Sequence, residues 1–298
     1  MTTPTFPAEL LINNQSAHGE GPIWDPASET LFWVDMTGHK LHSLQPAGDT
    51  SATHSFSEAV CAVTPLGNNR LLIALAKRLA FFDLTSSALD EICPVEPHLP
   101  GNRCNDGKMD PAGRFWIGTM SANGPYAGAG SLYRLDEGKT LTKVLDGLTV
   151  SNGMDWTPDG RTMYFTDSAE RAIWAFDFNP RDSSISNRRT VVKVPEELGL
   201  PDGFTLGADG TLWVAHWGAG CVCQWDPRDG RLLRRITTGC PHTTSCYFGG
   251  PARDTLYITT SRLGLDEEAL RVSPHSGGLF RWQNQRNAGK MPTLPSSQ

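Results

Sequence analysis

Four residues share a local pattern that could bring oxygen ligands to one point. Glu20, Asn152 and Asp202 are each followed directly by glycine, and Asn105 is followed by Asp106 and then by glycine. Two carboxylates and two amides are costly to bury together without a partner, and a divalent cation is the simplest partner. All four offer oxygen, which favours Ca²⁺, Mg²⁺ or Mn²⁺ and leaves Zn²⁺ and Fe²⁺ open. If the chain brings them together, the pattern predicts a site for one divalent metal ion.

The same residues have a plainer interpretation as turns at the starts of strands. Asparagine, aspartate and glycine are the usual turn residues, because their side chains bond nearby backbone groups and glycine tolerates positive φ. Glu20 argues against this interpretation, since glutamate is a poor turn former. The choice depends on whether the four residues occupy equivalent positions of a repeated unit.

The chain contains such a repeat. Short apolar segments recur along it as LFWV, LLIA, FWIG, MYFT, LWVA and LYIT, and each follows a turn. The turns are marked by Pro26, Pro65, Pro111, Pro158, Ala208 and Pro251. Their intervals of 39, 46, 47, 50 and 43 residues are typical of a repeat architecture.

Each unit contains several strand-like segments and no long amphipathic helix. Sheets of about four short strands arranged radially form a β-propeller, which leaves only short protected edges. The sequence therefore predicts an all-β fold, a six-bladed β-propeller forming a single domain over 1–298. Residues 9–12 (ELLI) precede the first unit, and we expect them to supply a strand to the last blade and close the ring.

The position six residues before each turn marker is equivalent in all units. These ring positions are Glu20, Ala59, Asn105, Asn152, Asp202 and Ser245. The innermost strands of a propeller line its central channel, so we expect the polar members to face one axis. Asp35, Asp167 and His216 end the second strands of their units and should lie on the same face. They either orient the ligands from behind or form ordinary strand-end hydrogen bonds.

Composition excludes several classes of partner. The 298 residues carry a net charge of -6 with no basic run, which argues against nucleic acid and membrane surfaces. No stretch approaches 18 apolar residues, and the N-terminus lacks a signal-peptide pattern, so we expect a cytoplasmic protein. The seven cysteines show no zinc or redox spacing and are interpreted as packing thiols, with Cys104 a minor candidate for chemistry. Cys221 and Cys223 are expected on one face of a strand.

At these residues the chain resembles the SMP-30/gluconolactonase/regucalcin (LRE-like) family of sugar lactonases. The matching motifs are GEGPIWD (19–25), NRCNDGKMDPAGRFWIGTM (102–120), SNGMDWTPDG (151–160), LPDGF (200–204) and LWVAHWGAG (212–220). The resemblance implies a six-bladed propeller that hydrolyses a sugar lactone to the aldonic acid. It also implies that Glu20, Asn152 and Asp202 bind one divalent metal ion. We expect that ion to act as a Lewis acid, with Asp202 also serving as general base toward water.

The resemblance further implies that Arg103 and Asn105 contact the substrate, with Asp106 close by. Donors at these positions would hold sugar hydroxyls or the developing oxyanion. The chain departs from the pattern at 121–123, where Ser-Ala-Asn stands in place of a glutamate that reaches the substrate in some relatives. Contacts to the distal part of the sugar are therefore open, and specificity is expected in the loops 121–130 and 263–274.

Other functions remain compatible with parts of the pattern. A calcium-binding regulatory propeller needs the metal ligands but has no use for Arg103 and Asn105, whereas a metal-dependent esterase or phosphotriesterase could use the whole site. A protein-interaction propeller needs neither the metal ligands nor Arg103 and Asn105. The chain also lacks the G-x-S-x-G motif that is usual in serine hydrolases. The lactone could be a gluconolactone, a pentonolactone or a 6-substituted lactone. The last would need rim cations if its substituent were acidic, and the candidates are Lys77, Arg262 and Arg271.

Overall fold

The computed structural model describes residues 3–283, which form an almost entirely β structure. Two strands precede the repeated units: β1 (Thr5–Pro7) and β2 (Glu9–Ile12). The first unit contains β3 (Gly19–Asp25), β4 (Thr30–Asp35), β5 (Lys40–Gln45) and β6 (Thr50–Ser55). The second contains β7 (Val60–Gly67), β8 (Arg70–Leu75), β9 (Arg78–Asp83) and β10 (Leu89–Pro94). The third contains β11 (Asn102–Met109), β12 (Phe115–Ser121), β13 (Gly130–Asp136) and β14 (Thr140–Leu148).

The remaining units continue the pattern. The fourth contains β15 (Ser151–Trp156), β16 (Thr162–Asp167), β17 (Ala172–Asn179) and β18 (Ser184–Lys193). The fifth contains β19 (Leu200–Leu206), β20 (Leu212–Trp217), β21 (Cys221–Asp226) and β22 (Arg231–Thr237). The last contains β23 (Thr243–Gly249), β24 (Thr255–Thr260), the helix α1 (Glu267–Val272) and β25 (Leu279–Gln283). Single 3₁₀ turns occur at Pro46–Gly48, Glu137–Lys139, Ser168–Glu170 and Glu196–Leu198, and no helix within 3–283 is long and apolar enough to cross a membrane.

Each unit forms one antiparallel sheet whose strands run in chain order from the channel outward. Each innermost strand contacts that of the next unit, and β23 contacts β3, so the six sheets close into a ring. The predicted six-bladed propeller is confirmed. The predicted closure is also confirmed, because β2 pairs with β25 and completes the last sheet. The additional strand β1 pairs in parallel with β22 at the outer edge of the fifth sheet, which we did not predict.

The innermost strands are irregular at the ring positions. Pairing between the first two strands shifts register at or next to the ring position in every blade, including around Glu20, Asn105, Asn152 and Asp202. Such a bulge breaks the regular alternation of a strand and re-aims a side chain. A polar residue followed by glycine therefore marks a bulge inside a strand here, and the interpretation as a simple turn is wrong.

Glycine after the ring residue permits close contact between blades. A Cβ atom on Gly153 would lie 2.3 Å from the Phe204 ring and 2.5 Å from the carbonyl oxygen of Asp202. These distances are far below van der Waals contact, so blades four and five could not approach as they do with any larger residue.

The apolar core lies between the blades. Within residues 3–283, the buried apolar side chains fall into six clusters, and each cluster joins two neighbouring sheets. Between blades three and four, for example, Trp116 meets Trp156 edge to face with ring centroids 5.8 Å apart. Because the sheets pack face to face around a ring, the polar channel is enclosed by apolar layers that fix the blade positions.

Candidate functional site

The four polar ring residues reach one cavity at the axis. The cavity has a volume of about 390 Å³, and Glu20, Asn105, Asn152 and Asp202 line it together with Arg103. We call these five residues the floor. All five lie within the first four residues of innermost strands, and a bulge occurs at or next to Glu20, Asn105, Asn152 and Asp202. The four polar positions that the repeat spacing grouped therefore lie together in the folded chain.

The two carboxylates and the Asn152 amide form the centre of the floor. Asn152 Nδ2 donates hydrogen bonds to Asp202 Oδ1 and, at 3.1 Å, to Ser168 Oγ. Backbone N–H groups donate to the carboxylates as well, from Gly21 to Glu20 Oε2 and from Gly203 to Asp202 Oδ1. These bonds hold one oxygen atom of each carboxylate, and both side chains line the cavity.

The electrostatics of the floor favour a bound cation. Burial raises the pKa of the Glu20 carboxyl well above its usual value, and the Asp202 and Asp106 carboxyls raise it further. Burial and then Asp106 raise the pKa of Asp202 in the same way, while Arg103 opposes both shifts. Two buried carboxylates that repel each other would be relieved by a divalent ion.

Glu20, Asn152 and Asp202 could bind a metal ion through oxygen atoms if the Asn152 amide is turned. The Asn152 amide nitrogen faces Asp202 in this structure, so an ion shared by the two side chains requires the amide oxygen at that place. The third candidate ligand is an amide, and the described residues hold no cluster of three His, Cys, Asp or Glu side chains suited to a metal.

Arg103 and Asn105 are held next to the carboxylates. Arg103 Nη1 donates to Asn105 Oδ1 at 2.7 Å and to the Cys104 carbonyl at 2.8 Å. Asn105 Nδ2 in turn donates to the Ser151 carbonyl at 2.9 Å, which ties blade three to blade four. The guanidinium is therefore presented to the cavity in a fixed orientation.

Asp106 lies outside this cavity. It lines a separate void of about 20 Å³ together with Lys108 and Tyr247. Burial raises the pKa of Asp106 to about 6, and the nearby Lys108 ammonium partly counters the rise. Lys108 Nζ itself lies 3.3 Å from Asp155 Oδ2. The structure thus places Asp106 close to the metal-ligand candidates, as expected, but does not bring it to the cavity where a substrate would bind.

Asp35, Asp167 and His216 bind backbone rather than ligand side chains. Asp35 accepts hydrogen bonds from the N–H groups of Ala17 and His18 at 3.0 and 2.9 Å. His216 Nδ1 lies 2.8 Å from the carbonyl oxygen of Leu198. In both blades the bonded segment leads directly into the innermost strand that carries the ring residue. These contacts are the ordinary strand-end bonds that we had left open.

In blade four, Asp167 accepts backbone hydrogen bonds in the same way as Asp35 does in blade one. Its carboxylate accepts from the N–H groups of Thr149 and Val150 at 2.7 and 2.9 Å, just before the strand that carries Asn152. The three residues therefore position, through backbone contacts, the strands that carry the candidate metal ligands, and they do not bond the candidate ligand side chains themselves.

A polar cluster behind Arg103 was not predicted. Glu96 is buried and accepts from Asn102 Nδ2, Thr119 Oγ1 and Tyr133 OH at 2.8 to 3.0 Å. Lys77 Nζ donates to three backbone carbonyls between residues 96 and 102. Glu96 lies in a loop outside the repeat pattern, so no spacing signal pointed to it.

The cysteines behave as packing residues. All seven are free thiols, and Cys221 and Cys223 lie on one face with their sulfur atoms 3.7 Å apart, as predicted. Cys104 is fully buried, and this burial raises the pKa of its thiol well above the usual value. A thiol in that state is a poor nucleophile, so the structure gives no support to Cys104 as a reacting group.

Comparison with known proteins agrees with this architecture. The family model described as SMP-30/Gluconolactonase/LRE-like region matches residues 18–262. Regucalcin of Danio rerio is 35% identical over 274 residues, which cover 92% of each chain. The crystal structure of a calcium-binding protein, regucalcin, from Agrobacterium tumefaciens superposes with a TM-score of 0.93 at 30% identity and covers 100% of both chains. XC5397 from Xanthomonas campestris, named a gluconolactonase, superposes with a TM-score of 0.72 at 25% identity over 93% of this chain and 89% of that one.

The family match covers the ring residues in all six blades, and the similarity to regucalcin extends over nearly the full chain. The chain belongs to the SMP-30/gluconolactonase/LRE-like family.

Proposed function

We propose that this protein hydrolyses a sugar lactone to the aldonic acid with one divalent metal ion bound by Glu20, Asn152 and Asp202. Hydrolysis of lactones is the activity that the family names support. The observation that carries the proposal is the floor itself, where two mutually repelling buried carboxylates meet an amide and a fixed guanidinium in an open cavity.

A divalent ion at this place would supply Lewis acidity toward the lactone carbonyl oxygen. Asp202 accepts a proton from the water that adds to the carbonyl carbon. Arg103 donates toward the oxygen that gains negative charge, since its position is already fixed by Asn105. The bond between the carbonyl carbon and the ring oxygen then breaks, and the ring oxygen takes the proton from Asp202. The reaction therefore consumes one water molecule for each lactone and gives one aldonic acid.

The base assignment can be tested with Asp202→Asn. Saturating the variant with the metal ion separates loss of the base from loss of metal binding, and we expect lactonase turnover to fall by at least about 100-fold. Asp159→Asn, in an exposed turn of blade four, is the matched control and should keep wild-type turnover. Near-native turnover of the metal-saturated Asp202→Asn variant would contradict the assignment.

Calcium binding without catalysis is the second candidate, because the similar Agrobacterium protein is described as calcium-binding. A purely calcium-binding protein gains nothing from Arg103 beside an open cavity of about 390 Å³. Sugar lactones, aryl esters and organophosphates assayed with and without chelator distinguish the candidates. Chelator-sensitive hydrolysis of the lactones alone supports the proposal, and binding of calcium with no turnover of any substrate supports the alternative.

A further inference from the structure

We propose that the lactone bound here carries an uncharged apolar group on the carbon remote from its carbonyl. The inference rests on the proposed lactonase function and concerns the part of the cavity above the floor. There the lining changes from polar to apolar, and we call this part the wall. The wall consists mainly of Met120, Val150, Leu200, Trp217 and Leu263.

The division between floor and wall follows from the fold. Met120 and Trp217 lie at the ends of second strands, Val150 lies just before an innermost strand, and Leu263 lies in the loop after β24. Met120 and Val150 are joined by a β-bridge between blades three and four, which makes this part of the wall rigid. A ligand whose reacting carbonyl meets the floor must therefore extend its remote end along apolar side chains.

Trp217 provides a flat surface within the wall. Its ring stacks on His242 with centroids 3.9 Å apart and planes 9° apart, and the His18 ring meets it edge on at 5.7 Å. Burial lowers the pKa of the His242 imidazole below its usual value, so the ring that stacks on Trp217 is uncharged near pH 7. The stack therefore adds no charge to the wall and keeps the indole in place.

Three polar side chains that line the cavity beside the wall, Ser121, Ser168 and His18, have partners within the protein. Ser121 Oγ accepts from the Asn123 N–H at 3.2 Å, and Ser168 Oγ accepts from the Asn152 side chain. A ring nitrogen of His18 lies 2.8 Å from Ser261 Oγ. A substituent hydroxyl placed against Trp217 and Leu263 would lose its water without gaining equivalent bonds, whereas an apolar group would gain from the transfer.

Within residues 3–283, no lysine or arginine side chain lines the cavity at the wall. Lys77 donates to backbone carbonyls, Arg262 donates to Gln15 Oε1 at 2.7 Å, and Arg271 pairs with Glu268. None of the three lines the cavity, so the rim cations that an acidic substituent requires are not supplied by these candidates. Arg103 is the cation of the cavity, and it belongs to the floor. An anionic substituent would also share the cavity with the Glu20 and Asp202 carboxylates.

Three substrates that differ only at the remote carbon test the inference: gluconolactone, its 6-O-benzyl ether and its 6-phosphate. The metal-loaded full-length protein is assayed by a pH indicator with the spontaneous hydrolysis subtracted. We expect kcat/KM to be about tenfold or more higher for the benzyl ether than for the parent, and lowest for the phosphate. Leu263→Ser should reduce the benzyl preference several-fold, mainly through KM.

Leu89→Ser is the matched control, since Leu89 is 44% exposed on an outer strand and Leu263 is 46% exposed at the cavity. The control should keep the benzyl preference unchanged. Trp217→Ala should reduce the preference as well, and Trp217→Phe should restore part of it. Equal or better hydrolysis of the parent or the phosphate, with no effect of Leu263→Ser, would overturn the inference and leave the lactonase function standing. Failure to hydrolyse any of the three would contradict the lactonase function itself.

Discussion

The imidazole of His216 is bonded at both nitrogens. Its Nδ1 lies 2.8 Å from the Leu198 carbonyl oxygen, which can only accept, so Nδ1 carries the proton. Trp225 Nε1 donates to the other nitrogen, Nε2, at 3.2 Å. The ring is fully buried, and this burial lowers its pKa to about 4, with the nearby Arg235 charge lowering it further. A second proton would break the bond from Trp225, so the neutral ring is part of the folded state.

His216 should make the protein sensitive to acid. An unfolded histidine binds a proton below a pKa of about 6.5, whereas the folded one resists until about pH 4, so stability falls as the pH drops through that range. The shift corresponds to at most about 3 kcal/mol. Urea unfolding at about pH 7 and about pH 4 should show a smaller loss for His216→Gln than for the wild type. Equal losses would show that His216 does not contribute.

At the scale of the element, the strand that carries a ligand is held by the strand beside it. Asp35 and Asp167 each stand 15 positions after their ring residues, Glu20 and Asn152, and both accept bonds from successive N–H groups before the innermost strand. In these two blades the repeat thus contains both a candidate metal ligand and an aspartate, called the clamp, that holds the start of its strand. Buried or partly buried N–H groups that lose such a partner typically cost about 1–3 kcal/mol each.

Asp167→Ala should therefore weaken the metal site without removing a ligand. The N–H groups of Thr149 and Val150 lose their partner, and the start of the Asn152 strand should loosen. We expect a lower melting temperature in chelator and a several-fold weaker affinity for Mn²⁺ or Ca²⁺ by calorimetry. Asp159→Ala, which alters only an exposed turn of the same blade, should change neither quantity. Loss of stability with unchanged metal affinity would show that the clamp is purely structural.

The repeat spacing could predict four of the five floor residues, whereas Arg103 followed only from the family resemblance. Glu20, Asn152 and Asp202 stand at one position of a periodic unit, and a closed ring brings equivalent positions to its axis. Asp106 could not be placed in this way. It follows Asn105 within a bulge, where the alternation of side chains that spacing relies on is lost.

Repeat spacing could not predict the residues of the wall, for a related reason. Trp217 and Leu263 come from strand ends and loops whose lengths differ from blade to blade, so their meeting depends on the folded ring. The cluster around Glu96 could not be predicted either, because its partners come from loop and strand positions that follow no period in the sequence.

At the scale of the whole molecule, the ring is closed by two distant parts of the chain. Strand β2 near the N-terminus pairs with β25 through Glu9 and Arg281, whose side chains also form an ion pair at 3.0 Å. Leu10 packs in the cluster between blades five and six, and Ile12 packs in the cluster between blades six and one. Closure therefore secures both neighbours of the last blade, and through them the positions of Glu20 and Asp202.

Two N-terminal truncations distinguish the effect of losing the closing strand β2 from the effect of shortening the chain. Removing 1–7 deletes β1, which adds a strand at the outer edge of blade five and brings Phe6 against Trp282 of blade six, and should lower the melting temperature slightly. Removing 1–12 also deletes β2, leaves the last blade with three strands and exposes apolar surface of two interblade clusters. Because burial contributes about 25 cal/mol per Å² of apolar surface, we expect a loss of several kcal/mol and weaker metal binding in the longer truncation. Similar melting temperatures and metal affinities for the two truncations would show that the ring holds its axial site without the closing strand.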